Sequence, residues 1–297
     1  MSKRELTVTP PSVAITRTRF LRPEKITRAF FLAILIFGAL IILVPFVWAV
    51  SASLAPRELI FAFPPRWFPQ PLQWDNYARA LTTLPFGRYA LNTLLIIFFV
   101  EIGTLLSCSL VAFGFAQMEF PARNFLFVLM LGSMMVPEQA TIVPLYQLFR
   151  QVGWVNTYLP LIVPSFFGTP LYIFLLRQFF RALPRELNDA ARIDGASWFR
   201  VYWSIALPLA RPGLAVIGVF TFLQAWTNFF YPLIFLHSSD QATLALGLAY
   251  YTGQPNQPWE LIMPITVLMM LVPIGLFFIV QREFFSGLSP LRFFMQQ

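Results

Sequence analysis

Apolar residues run through this chain in long uncharged blocks, without the short alternation of a half-buried strand. Residues 29–50 carry no charge, and residues 89–118 are interrupted only by Glu101. Residues 151–176, 212–239 and 261–281 are also free of Asp, Glu, Lys and Arg. A helix needs about 20 mostly apolar residues to cross a bilayer. It suits lipid because it satisfies its backbone polar groups internally. Each of these five blocks therefore predicts a spanning helix. A sixth block, residues 125–137, is short. It reaches spanning length only if the helix starts near Pro121 and continues past Glu138. The pattern predicts an all-α membrane protein with six transmembrane helices. Residues 1–28 form an N-terminal segment, 29–281 the six-span domain and 282–297 a tail. The first block exceeds the roughly 7–15 apolar residues of a signal peptide, so it predicts an uncleaved helix. Between the first two blocks, six prolines with Trp67 and Trp74 predict an ordered, extended surface loop with interfacial aromatics.

Composition agrees with a lipid environment. Of 297 residues, 58% are hydrophobic and 11% charged, against about 25% charged in an average soluble domain. This argues against an ordinary water-soluble enzyme. The net charge of +8 would suggest nucleic acid in a soluble domain, but its distribution says otherwise. With six spans, sixteen basic residues fall on one side of the membrane and five on the other. The connection between the fourth and fifth spans alone holds Arg177, Arg181, Arg185, Arg192, Arg200 and Arg211. The positive-inside rule puts this side, and both termini, in the cytoplasm. The excess is then a topology signal that needs no nucleic-acid partner.

Several chemistries are missing. The only lysines, Lys3 and Lys25, do not follow glycine, so no phosphate-cradling G-x-x-x-x-G-K-[ST] loop exists. One histidine, His237, and one cysteine, Cys108, leave no metal cluster and no Cys/His nucleophile pair. Cys108, among Leu106, Ser107, Ser109 and Leu110, reads as a buried structural thiol. Glu101 is the ionisable residue deep in a span. Such groups are costly in lipid and face the bundle interior or a wet pathway. Glu101 has two readings: a carboxylate on a substrate path, or a packing hydrogen bond to Ser, Thr or a partner subunit.

The connection at residues 182–208 has its own pattern. Pro184 suits a first helical turn, and Glu186 then sits favourably near the helix N-terminus. Leu187, Ala190 and Ala191 share a face at i, i+3, i+4 spacing. Gly195 is a natural stop. Ser197 can cap a second helix through Trp198, Tyr202 and Ile205, interrupted at Leu207-Pro208. Small alanines allow close approach of another protein, and Glu186, Asp189 and Asp194 offer charge pairing to a basic partner. The alternative is a solvated helix at the bilayer interface.

Asp189-Ala190-Ala191, Gly195, Ile205, Leu207 and Pro208 resemble the "EAA" loop of ABC-importer permeases, E-A-A-x-x-x-G, nine residues, then I-x-L-P. Residues 196–204 supply the nine. Asp189 stands where the family usually has Glu. The run from Ala190 to Ala196 is similar to the sugar-importer branch, of maltose and glycerol-phosphate type. Asn92-Thr93, Phe120-Pro121, Val143-Pro144 and Trp226 through Leu233 extend the likeness. The family's basic C-terminal ending has no counterpart at Pro290 to Gln297.

The resemblance implies a type I ABC importer permease fold with a cytoplasmic coupling helix in the bacterial inner membrane. It implies a second permease subunit, two ATPases and an external solute-binding protein as partners. ATP and magnesium would belong to the ATPases, leaving no cofactor and no catalytic residue here. Glu186, Asp189 and Asp194 would hold the ATPase, while Ala190, Ala191 and Gly195 let the helix seat. Glu101, Trp226, Asn228 and Tyr231 are candidates for a sugar path, because aromatic faces stack on sugar rings and amides meet hydroxyls. The alternatives are an importer permease for a non-sugar solute and an ion-coupled secondary transporter.

Overall fold

The computed structural model describes residues 23–83, 85–253 and 255–287. The rest of the expected N-terminal segment (residues 1–22) and of the tail (288–297) lies outside the described residues. No strand occurs among the described residues. The elements are α1 (Pro23–Ser53), α2 (Arg57–Ile60), α3 (Asp75–Thr83), α4 (Phe86–Gln117), α5 (Arg123–Gly132), α6 (Glu138–Gln151), α7 (Leu159–Ile162), α8 (Pro170–Arg181), α9 (Arg185–Ile193), α10 (Trp198–Val201), α11 (Leu207–Leu209), α12 (Arg211–Thr227), α13 (Phe230–Phe235), α14 (Leu244–Thr252) and α15 (Trp259–Gly287).

Four stretches are long and apolar enough to cross a bilayer: Phe30–Ser53, Phe86–Gln117, Leu159–Arg181 and Trp259–Gln281. Two more reach that length only as bent pairs. Arg123–Met135 meets Glu138–Gln151 at 96°, and Trp198–Leu209 meets Arg211–Thr227 at 77°.

Where the helices break and where they continue revises four expectations. The third segment is not one helix running past Glu138. Val136 and Pro137 are extended (ψ 117° and 134°) and separate α5 from α6. Proline lacks an N–H to continue the ladder and pushes its predecessor out of the helical region. The helical stretch expected from Gln151 begins instead at Leu159. Residues 152–158 turn, with Gly153 and Asn156 at positive φ (71° and 61°). Asn156 Oδ1 accepts the backbone N–H groups of His237 and Ser238, both at 3.0 Å. The fifth apolar block is divided where Asn228, in extended backbone, ends α12 before α13. Conversely, Pro208 does not interrupt its helix. A wide π turn over Tyr202–Ala206 precedes it, which makes room for the ring, and the bend comes at Ala210.

Contacts divide the chain into two compact units, residues 1–48 and 49–297. The described part of the first is the bulk of α1, whose apolar side chains from Phe30 to Val47 are mostly exposed. In the second unit α4 is the central helix and packs on α8 and α12. Two clusters lie along it. Phe86, Tyr89 and Ile97 join Trp226, Leu246, Tyr251 and Ile265. Cys108, Ala112 and Phe113 join Ile173, Leu176, Phe180, Tyr202 and Ile217. Asn92 and Thr93, read as a sequence mark, hold a distant segment. Asn92 Nδ2 donates to the carbonyls of Asp240 and Ala242 (2.9 and 3.0 Å), and Thr93 Oγ1 accepts the Leu244 N–H at 2.9 Å. Cys108 is fully buried, its sulfur accepting the Thr169 N–H at 3.2 Å.

Candidate functional site

Residues 182–208 fold as a short helix, a tight turn and a second helix. Pro184 precedes α9 in extended backbone. At its other end Gly195 takes φ +83°. The Ala196 N–H reaches the Ala191 carbonyl (2.9 Å) and the Gly195 N–H reaches that of Arg192 (3.0 Å). This pair of bonds is a Schellman closure, which satisfies carbonyls a helix end leaves free. Ser197 then caps α10, its Oγ accepting the Arg200 N–H at 3.3 Å. The Arg192 guanidinium stacks over the Trp198 ring at 4.5 Å.

The inward face of α9 is Asn188 and Ala191. Asn188 is buried and donates to Gln117 Oε1 at 2.9 Å. Gln117 Nε2 in turn donates to the Phe180 carbonyl. One side chain of α9 is thereby tied to the ends of both α4 and α8. Ala191 is half-buried against the second cluster. Glu186, Asp189, Ala190, Asp194 and Gly195 are exposed. The three acids make no ion pair with a described side chain. Leu187 is 44% and Ile193 86% exposed. The outward face of α9 therefore mixes acids, small residues and bare apolar surface.

A second feature lies within the spans. A cavity of about 230 Å³ is lined by α4, α6, α7, α8, α12 and α13. On α4 it touches Thr93 to Thr104, between the two packed clusters. Tyr172 and Thr221 are buried at its floor, while Gln224 and Glu138 are exposed at its open side. The Tyr172 hydroxyl donates to Gln224 Oε1 at 3.2 Å. The Tyr231 hydroxyl faces Glu138 Oε2 at 3.5 Å. Asn228 Oδ1 accepts the Tyr231 N–H at 3.3 Å, which fixes the entry to α13.

Of the four residues singled out for a sugar path, the structure brings Asn228 and Tyr231 to this cavity. Trp226 is instead packed among the first cluster, stacked on Phe222, and its indole N–H donates to the Met269 carbonyl at 3.1 Å. Glu101 is half-buried and does not line the cavity; its Oε2 lies against Gly218 of α12.

Sequence reasoning missed Glu138, Thr221, Gln224 and Tyr172. Two signals were available. Thr221, Gln224 and Asn228 recur at i, i+3, i+7, a polar stripe on an otherwise apolar helix. Glu138 is an acid beside a proline break in an apolar segment, the kind of place where intramembrane charge marks a pathway.

Comparison with known proteins bears on both features. Residues 103–290 match the model of a family described as "Binding-protein-dependent transport system inner membrane component". The chain is 32% identical over 264 residues to the sn-glycerol-3-phosphate transport system permease of Yersinia enterocolitica, covering 86% of this chain and 93% of that one. It is 35% identical over 223 residues to the arabinooligosaccharides transport system permease of Halalkalibacterium halodurans (74% and 79%). Its fold is similar to a chain in the crystal structure of a bacterial ABC transporter importing the acidic polysaccharide alginate. The TM-score is 0.78 at 20% identity, covering 89% of this chain and 99% of that chain.

Proposed function

This chain belongs to the family of binding-protein-dependent transport system inner membrane components, and on that premise we propose that it is one membrane-spanning half of an ATP-driven importer for a sugar or oligosaccharide. A second permease of similar fold supplies the other half. Two ATPases bind and hydrolyse ATP with magnesium on the cytoplasmic side, and an external solute-binding protein delivers the solute. Each bent helix pair counts as one span, which gives six with both termini in the cytoplasm. Membership of this family displaces the ion-coupled transporter. The sugar class is supported by an arabinooligosaccharide system among the relatives.

In this reading α9 is the coupling helix. Glu186, Asp189 and Asp194 pair with basic groups of an ATPase, and Ala190 lets the two surfaces close. Leu187 and Ile193, both exposed on α9, are covered by the same contact. Gly195 closes the helix end. Motion of α9 then pulls on α4 and α8 through Asn188 and Gln117. These two helices also carry Thr104 and Tyr172 of the cavity, so the pull reaches the solute path.

The observation that supports this most strongly is the buried bond from Asn188 to Gln117, since it joins an otherwise outward-facing helix to both neighbours. Replacing Asn188 leaves Gln117 Oε1, on a half-buried side chain, without this donor and unties α9 from α4 and α8. Asn188→Leu is expected to assemble with the ATPases yet lower transport about tenfold in proteoliposomes. Full transport by that variant contradicts the proposed linkage.

A further inference from the structure

Three arginines that the proposed function leaves unused meet where α4 and α8 end and α5 begins. Arg177 and Arg181 are one turn apart on α8, so they share a face. Arg123 and Phe127 are related in the same way on α5. The Arg177 guanidinium lies over the Phe127 ring at 4.0 Å, and α5 packs on α8. With six alternating spans these two helices run antiparallel, so that contact sets Arg123 level with Arg181. Both stand close enough to Arg177 to oppose its charge. Two of the three are held in place. Arg177 Nε donates to the Phe115 carbonyl at 3.3 Å, and Arg123 Nη1 donates to the Met118 carbonyl at 3.0 Å. Most of their N–H donors remain unused. None of the three forms an ion pair with a described side chain. Glu119 shares a surface pocket with Arg123 and offsets one charge at most.

Depth makes the missing anion matter. Arg181 ends the spanning stretch Leu159–Arg181, and Arg177 stands one turn, about 6 Å, inside it. A cation at membrane depth is costly and is normally paired. An aromatic face and a carbonyl supply no net negative charge to the cluster. Beside Arg123, α5 exposes Phe125, Leu126, Val128 and Leu129. Guanidinia at the level of the headgroups, next to bare apolar surface, fit a ligand with a phosphate and hydrocarbon tails. Planar guanidinium forks match phosphate oxygens, and basic pockets between spans on the cytoplasmic side bind anionic headgroups. A free phosphate would meet the arginines but leave the apolar surface of α5 uncovered.

We propose that Arg123, Arg177 and Arg181 form a site for the headgroup of an anionic phospholipid of the cytoplasmic leaflet. The inference goes beyond the importer reading and takes from it only the orientation in the membrane. The test uses the detergent-purified complex with its partner subunits, titrated with dioleoylphosphatidylglycerol or dioleoylphosphatidylcholine and read by native mass spectrometry. The intact protein is compared with the pair Arg123→Gln and Arg181→Gln and with the pair Arg123→Lys and Arg181→Lys. Arg177 is kept, because it also packs on Phe127. Each basic charge near a membrane surface is worth about fivefold in affinity. The Gln pair is therefore expected to weaken phosphatidylglycerol about twentyfold while leaving phosphatidylcholine within about twofold. The Lys pair, which keeps the charge, is expected to stay within about threefold of the intact protein. Arg181→Gln alone, at an exposed position, is expected to cost about fivefold and keeps the test independent of folding. Equal affinity of the intact complex for the two lipids overturns the site, as does phosphatidylglycerol affinity unchanged in the Gln pair. Displacement of phosphatidylglycerol by inorganic phosphate assigns the arginines to a free anion and overturns the lipid. Binding in detergent reads the site whichever way the helices face, so its failure is distinct from failure of the importer reading.

Discussion

Gly195 illustrates how one residue type decides the end of α9. A β-carbon there would find open space, so packing does not demand glycine. The backbone does, because φ is +83° and a left-handed conformation costs an L-residue about 1–2 kcal/mol. A β-branched side chain pays most. Gly195→Val is therefore expected to insert and assemble, but to fray the turn between α9 and α10 and lower permease-dependent ATP hydrolysis roughly five- to thirtyfold. Gly195→Asn is expected to retain more activity, since Asn tolerates this region. Hydrolysis rates of the two reconstituted variants check the order. Equal rates would remove the backbone argument. Gly195 and Ser197 were legible in the sequence because turns and caps select residue types. Asn188 was not: between Leu187 and Asp189 an amide reads as solvated, and only the fold brings Gln117 to it.

Helix continuity was harder to read than helix existence. The apolar blocks located the membrane segments, because burial in lipid needs only length and the absence of charge. They did not locate the breaks at Pro137 and Asn228, where one dipeptide or one extended residue overrides a continuous apolar pattern. Pro208 misled in the opposite direction, its ring being accommodated by the π turn. The breaks matter because they carry Glu138 and Asn228 to the cavity. Close helix approach was equally invisible. A β-carbon on Gly103 of α4 would lie 2.7 Å from Phe166 Cδ2, in the turn between α7 and α8. Gly103→Val should overpack this contact by about 1–3 kcal/mol, lowering the thermal midpoint by about 2–10 °C. Gly114→Ala, with nothing within 4 Å of the new carbon, is the matched control in the same helix. A Gly103→Val midpoint equal to that of the control would show that the contact relaxes freely.

Across the molecule, charge and composition carried the broad reading and left the solute path to the structure. The scarcity of charge pointed to lipid, and the clustering of arginine between the fourth and fifth apolar blocks pointed to a cytoplasmic face at residues 182–208. Cavity chemistry depended on residues from six helices and could not be assembled from spacing along one of them. The central claim is that α9 faces the cytoplasm and is covered there by an ATPase. The sole cysteine, Cys108, is buried, so Ile193→Cys adds one exposed thiol. Labelling that thiol with a membrane-impermeant maleimide tests the claim directly. The account predicts labelling in inside-out but not right-side-out vesicles, and protection when the ATPases are bound. Labelling from the external side, or labelling that the ATPases leave unchanged, would contradict it.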